Sequence, residues 1–252
     1  MNSRKVEFEG SQKVNLAARI DEPDQGVTKG SVLFAHCFTC SKNLRAVGRI
    51  SRTLTEHGMG VFRFDFTGLG ESEGDFADTN FSSNIDDLQA AAKYMEQEWT
   101  APRMLIGHSL GGAAVLQAAH HISSAEAVAT IAAPSNPEHV AHLLMDKKDE
   151  IEKKGKARVK LAGRVFTIKK QFLDDLKEQA MNKVIKNLEK PLLIFHSPVD
   201  NTVGIDNAAH IYKLAKHPKS FISLDDADHL LTNEEDAKYV GSVASAWGDR
   251  YL

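Results

Sequence analysis

Residues 104–113 read Met104-Leu105-Ile106-Gly107-His108-Ser109-Leu110-Gly111-Gly112-Ala113. Three apolar residues run into a G-x-S-x-G motif, and an alanine-rich segment follows to His121. The order is a short buried strand, a sharp turn and a helix of small residues. Such a turn forces Ser109 into strained backbone angles, and the flanking glycines let strand and helix approach without Cβ clashes. The hydroxyl then stands at the carboxyl edge of the sheet, where open α/β folds bind ligands. A Gly-rich turn with an idle serine is the alternative, and only the surrounding sequence separates the two.

Working outward, short apolar runs alternate with helical periodicity. Ser31–Ala35, Gly60–Phe64, Ala127–Ile131, Leu192–Phe195 and Ser220–Leu224 each read as strands. Leu44, Val47, Ile50 and Leu54 recur at helical spacing, as do Ile85, Leu88, Ala92, Met95 and Trp99. Thr232-Asn233-Glu234-Glu235 is a capping-box pattern ahead of a helix whose apolar side is Ala237, Val240, Ala244 and Trp247. At the front, Val6, Phe8, Val14, Leu16 and Ala18 alternate around Glu9-Gly10-Ser11-Gln12, which predicts an antiparallel hairpin. Strands alternating with helices predict an α/β fold, a mainly parallel sheet covered on both faces.

Residues 135–190 break the alternation and predict an inserted cap over a core made of residues 1–134 and 191–252. The segment reads as a charged helix around His139–Lys153, a hairpin over Val159–Ile168 with a Gly turn, and a helix over about Lys170–Met181. From Lys147 to Lys170 there are ten Lys or Arg against three Asp or Glu. A solvated face is the simple explanation, and attraction of anionic substrates the sharper one. Leu143, Leu144, Phe166, Ile168 and Phe172 line an acyl or aryl pocket or form the cap's own core.

The 252 residues are 42% hydrophobic and 26% charged, with a net charge of −3. That is an ordinary globular balance, and it gives no general attraction for nucleic-acid phosphates. No run of 18 apolar residues offers a membrane span. The first residues lack the apolar stretch of a signal peptide, so a cytoplasmic protein is expected. Oligomeric state is open, a homo-oligomer included.

A serine hydroxyl needs a base, and the base an orienting carboxylate. Asp200 lies just beyond the Leu192–Phe195 strand, and His229 just beyond the Ser220–Leu224 strand, both at the edge where Ser109 stands. The order Ser, acid, His is the one such a sheet requires. Asp225, Asp226 and Asp228 are rival acids, but they share the histidine's own loop. Of the other histidines, His36 and His108 flank the site and shape it, while His120, His121, His139, His142, His210 and His217 are expected at the surface. His139 and His142 carry no further metal-ligand pattern, so neither a metal nor a cofactor is expected. Two backbone N–H groups should face the developing oxyanion: that of Leu110, after the serine, and one from His36-Cys37-Phe38-Thr39, placed at Phe38.

With these residues assembled, the whole chain resembles an α/β-hydrolase. The resemblance rests on His36-Cys37-Phe38, Asp65-Phe66-Thr67-Gly68-Leu69-Gly70-Glu71-Ser72, the Ser109 turn, Asp200 and His229. It implies a mostly parallel, eight-stranded-type sheet with helices on both faces and a small inserted cap. Within that superfamily the chain looks like cinnamoyl/feruloyl esterases, which carry a similar His-Gly-Phe-Thr segment. His36-Cys37-Phe38-Thr39-Cys40-Ser41-Lys42 and Arg63-Phe64-Asp65-Phe66-Thr67-Gly68 are similar to the hydrolase half of bacterial proteins that fuse it to an OsmC-type peroxide-reducing domain. Where those esterases carry Gly, this chain has Cys37, whose side chain would narrow the oxyanion loop. Cys37 and Cys40 also form C-x-x-C, read either as a redox pair acting on that loop or, as the simpler expectation, as two small buried thiols.

The expected activity is hydrolysis of small acyl or aryl carboxylic esters through a Ser109-His229-Asp200 triad and an acyl-enzyme, without a cofactor. Thioesterase or peptidase chemistry on the same triad is the alternative. A dormant or redox-regulated module beside an OsmC-type domain is a second alternative. The expected ligand is a small-molecule ester, with neither nucleic acid nor membrane as partner.

Overall fold

Apolar runs of five residues have room to be buried on both faces only in the middle of a sheet, and that is where the chain puts them. The computed structural model describes residues 1–161 and 163–252, with the Leu143 side chain outside the description. The pocket-lining expectation for Leu143, and Ala162 within the expected hairpin, therefore lie outside the described residues. The first half of the chain holds β1 (Asn2–Glu9), β2 (Asn15–Glu22), β3 (Ser31–Ala35), α1 (Arg45–Glu56), β4 (Gly60–Phe64), α2 (Phe81–Glu98), β5 (Met104–His108), α3 (Leu110–Ala118) and β6 (Ala127–Ile131). The second half holds α4 (Met145–Lys154), β7 (Lys156–Leu161), β8 (Arg164–Lys169), α5 (Lys170–Glu178), α6 (Met181–Lys186), β9 (Leu192–His196), α7 (Asp206–Leu214), β10 (Lys219–Ser223) and α8 (Glu234–Gly248).

Eight strands form one sheet in the order β1-β2-β4-β3-β5-β6-β9-β10. The front hairpin is antiparallel and joins β4 antiparallel, and every pairing from β4 to β10 is parallel. Side chains alternate between two cores. Val32, Phe34, Val61 and Ile106 pack with α1 and α8 on one face. Leu33, Phe62 and Leu105 pack with α2 and α3 on the other. The parallel direction brings the carboxyl ends of β3, β5, β9 and β10 to one rim, and each loop that carries a candidate functional residue starts there.

The segment between β6 and β9 differs in detail from its sequence reading. Its first helix is a 3-10 stretch, Pro137–Leu144, followed by α4. Asn136 accepts from the Glu138 N–H at 3.0 Å and Pro137 occupies the first turn, which fixes that start. The expected helix over Lys170–Met181 is two helices. Phe172, Leu173 and Leu176 are buried from α5, and Met181 and Ile185 from α6. The five-residue step from Leu176 to Met181 does not continue a 3.6 period, so the chain breaks at Gln179 and Ala180 to bury both faces. Helix α7 was not among the elements read from the sequence, although Ile205, Ala208, Ile211 and Ala215 recur at helical spacing. Ahead of α8, Asn233 alone caps, accepting from the Glu235 N–H at 3.2 Å, while Thr232 turns back to Asp228.

Candidate active site

Ser109 occupies the turn between β5 and α3 with φ +55° and ψ −125°, a conformation that L-residues rarely adopt. Gly111 explains how the turn fits. A Cβ there would lie 2.5 Å from the carbonyl oxygens of Ala35 and His36. The glycine therefore lets α3 press against the end of β3, so that the loop after β3 sits beside the serine.

Asp200 sits in the loop after β9. Its Oδ1 accepts from the backbone N–H groups of Thr202 and Val203 at 2.8 and 2.9 Å. Its Oδ2 accepts from His229 Nδ1 at 2.7 Å, and His229 Nε2 lies 3.0 Å from Ser109 Oγ. A carboxylate only accepts, so Nδ1 carries the imidazole proton and Nε2 is free to accept from the serine hydroxyl. Burial opposes the charge on Asp200, but the His229 ring and the two N–H groups outweigh it and hold the carboxyl below its ordinary range. The three residues named from sequence are thus brought together. Asp225, Asp226 and Asp228 are not. Asp228 instead shapes the histidine loop, accepting from the Leu230 N–H at 2.8 Å.

Three buried imidazoles frame this group. His108 donates from Nε2 to the His229 carbonyl at 2.7 Å, His196 from Nε2 to the Val203 carbonyl at 2.7 Å, and His36 from Nδ1 to the Cys37 carbonyl at 2.8 Å. Each braces one loop of the site. Burial pushes all three below the usual histidine range, His108 to about 3, so they are neutral donors at pH 7. The shaping role expected of His36 and His108 thus has a geometry. His196 was not singled out, because a histidine closing an apolar strand has no spacing signal.

Phe38 lies on the loop after β3, and Leu110 begins α3 immediately after Ser109. Among the described residues neither backbone N–H has a protein acceptor. The Phe38 loop is anchored from beneath. The Lys42 backbone N–H and ammonium both reach Asp65, at 2.5 Å each, and the ammonium also reaches Glu71 at 2.7 Å. Lys42 and Asp65 are fully buried, so this pair is sustained by its hydrogen bonds rather than by water. Cys37 and Cys40 are not thiols. They form a disulfide across the turn, their Cα atoms 5.4 Å apart, which corrects the simpler expectation. The turn brings the two side chains within bonding reach, and spacing alone does not reveal that.

A cleft of about 420 Å³ opens over Ser109. Phe38, Val140, Leu161 and Leu230 supply apolar walls, and His139, His142 and Lys160 polar ones. His139 and His142 were expected at the surface, and His142 is exposed and His139 half-buried, but both also line the cleft. They belong to the cleft because the 3-10 stretch lies against the Asp200 loop, where His139 donates to the Thr202 carbonyl at 3.0 Å. Leu144, Phe166, Ile168 and Phe172 are buried packing residues away from the cleft lining. Phe172 stacks on Phe38 at 5.4 Å between ring centroids, which ties α5 to the loop after β3. Among the described residues no group of three or more His, Cys, Asp or Glu is arranged to hold a metal ion.

Fold and site together define an esterase-like α/β-hydrolase. Residues 26–171 match Hydrolase_4, described as serine aminopeptidase, S33, and the chain belongs to that family. It is similar to the esterase domain of a Rhodothermus marinus protein, at 48% identity over 100% of this chain and 99% of that one, with a TM-score of 0.82. It shares its fold with Est1E from Butyrivibrio proteoclasticus, solved with ferulic acid bound, at 18% identity over 95% and 96% of the two chains and a TM-score of 0.80. The uncharacterized protein YfhR of Salmonella typhimurium is 24% identical over 191 residues, and the match spans 75% of this chain and 61% of that protein's length. Among the described residues no helix is long and apolar enough to cross a membrane.

Proposed function

We propose that the chain hydrolyses carboxylic esters of small acyl or aryl groups through an acyl-enzyme. The observation that carries this reading is the chain of contacts from Ser109 Oγ to His229 Nε2 at 3.0 Å and from His229 Nδ1 to Asp200 Oδ2 at 2.7 Å. Ser109 attacks the acyl carbon while His229 takes its proton. Asp200 holds the imidazole in the productive tautomer and stabilises its cation. The backbone N–H groups of Phe38 and Leu110 receive the negative charge on the carbonyl oxygen, a contribution worth about 10²–10³ in kcat per donor. His229 then gives its proton to the leaving alcohol. A water attacks the acyl-enzyme by the reverse relay and frees Ser109.

Residues 135–190 act as a cap in this reading, closing over the cleft and supplying Val140, His142, Lys160 and Leu161 to its wall. A cleft of about 420 Å³ suits a small acyl or aryl group. The family description raises an aminopeptidase as a second reading, and one observation weighs against it. An aminopeptidase must hold an α-ammonium, yet among the described lining residues there is no Asp or Glu, while Lys160 is present. Thioesters would undergo the same attack, so the panel must include them.

The test is a fluorophosphonate label together with a panel of acyl esters, thioesters and aminoacyl amides. Labelling at Ser109, lost in Ser109→Ala, with turnover of esters above amides, is expected. An unlabelled Ser109 with no turnover of any ester overturns the proposal.

A further inference from the structure

We propose that the Cys37–Cys40 disulfide is a reducible clamp on the oxyanion loop, a modification site that takes dithiols and sets the rate of the esterase. The inference rests on the esterase reading above. Its ground is where the bond sits. Cys37, Phe38, Thr39 and Cys40 form a single turn, closed by the Cys40 N–H donating to the Cys37 carbonyl at 3.1 Å. The disulfide spans the same four residues and encloses the Phe38 N–H.

Thr39 holds φ +63° in this turn. A β-branched residue is strained in that left-handed region, and such strain persists only where the surroundings impose it. The disulfide is the covalent part of that imposition. Beyond it, Lys42 is fastened to Asp65 through both its backbone N–H and its ammonium, and before it β3 is locked in the sheet. Opening the bond therefore loosens residues 37–41, which His36 Nδ1 still holds at the Cys37 carbonyl and Phe172 at the Phe38 ring. Thr39 relaxes toward extended angles, and the Phe38 N–H shifts out of line within the play those two contacts leave. Ser109, His229 and Asp200 lie on other loops and keep their contacts.

The bond can be reached. Cys37 is buried, but Cys40 is only half-buried, and both line the active-site cleft. A dithiol's thiolate attacks Cys40 Sγ. The S–S bond breaks, and Cys37 leaves as a thiolate that takes a proton from water. The reagent's second thiolate then attacks its own sulfur in the mixed disulfide and releases Cys40 as a thiolate, which is protonated in turn. The dithiol is oxidised to a cyclic disulfide, and two electrons and two protons pass to the protein.

The test uses the whole chain and dithiothreitol, removed by desalting under argon before assay. Thiol titration should find none in the air-purified protein and two after reduction. Reduction should lower kcat on a neutral ester by about tenfold to a hundredfold with KM changed less than about twofold, since the lost contact is made only with the oxyanion. Glutathione disulfide should restore the rate. The pair Cys37→Ser/Cys40→Ser should match the reduced enzyme and ignore dithiothreitol. Two free thiols in the air-purified protein, or an unchanged kcat after reduction, overturn the clamp while ester turnover by the oxidised protein leaves the esterase reading standing. No turnover and no fluorophosphonate label in the oxidised protein overturn the esterase reading, and the clamp with it.

Discussion

The imidazole of His108 donates to the backbone carbonyl of His229 at 2.7 Å, so the residue before the candidate nucleophile holds the loop of its base. The His108 ring is buried and neutral, so the loss of its bond is costly. His108→Ala should lower kcat by about tenfold or more with little change in KM, because a small displacement of His229 spoils proton transfer. His108→Gln, which can still donate, should recover part of the rate. Steady-state kinetics on one ester decide it, and a change confined to KM would contradict this role.

Ser109→Ala, His229→Ala and Asp200→Asn should each reduce kcat by about 10⁴ or more, and the double variants should fall little further, since the three act as a unit. Thermal unfolding of Ser109→Ala should stay near wild type, while Asp200→Asn should lose the stabilisation of its hydrogen-bonded carboxylate. Additive losses in the doubles would mean that the contacts at 3.0 and 2.7 Å are not one relay.

Gly111→Ala should damage the fold as well as the rate. The added methyl meets the Ala35 and His36 carbonyl oxygens at 2.5 Å, and both are backbone atoms that cannot step aside. A destabilisation of about 1–3 kcal/mol is expected from such overpacking. Urea unfolding measures it, and an unchanged midpoint would show that α3 and β3 have room to separate.

Stability should fall as pH drops below neutrality. His108 is pushed to about 3 in the folded state, chiefly by burial, and His36 and His196 are lowered in the same way. An unfolded histidine titrates near 6.5, so between those values the unfolded chain binds more protons and acid favours unfolding. His108 alone should cost about 2 kcal/mol between pH 7 and pH 5. Asp200 adds to the loss only at lower pH. Its folded pKa is depressed, so its stabilisation is present above the unfolded value near 4 and disappears as pH falls through the folded value. Urea midpoints at pH 7, 6 and 5 should decline, and less steeply in His108→Gln.

Lys156, Arg158 and Lys160 lie on the outward side of β7, and among the described residues none of them has a carboxylate partner within ion-pair reach. Lys160 alone of the three lines the cleft. Lys160→Ala should raise KM about threefold to tenfold for esters with an anionic acyl group, at low salt, and leave neutral esters unaffected. Equal effects on both substrates would return this face to the role of a solvated surface.

Much of this molecule was legible along the chain. Met104–Ile106 running into Gly107-His108-Ser109 names a strand, a turn and a nucleophile candidate together, since only glycine suits the close approaches on either side. Asp200 and His229 were legible because each follows an apolar run by a few residues, and parallel strands carry such loops to one rim. The helix break at Gln179 and Ala180 was harder to see, because residues with good helix propensity were overruled by which side chains could reach the core.

Periodicity and glycine placement determined the α/β layering, because burying apolar runs and allowing close backbone approach are local demands that each segment states for itself. Tertiary structure alone decided that His108 and His196 brace the site, that His139 and the exposed His142 also line the cleft, and that Cys37 and Cys40 are joined. Those outcomes depend on distances between residues set by the whole packed sheet, which no single stretch of sequence encodes.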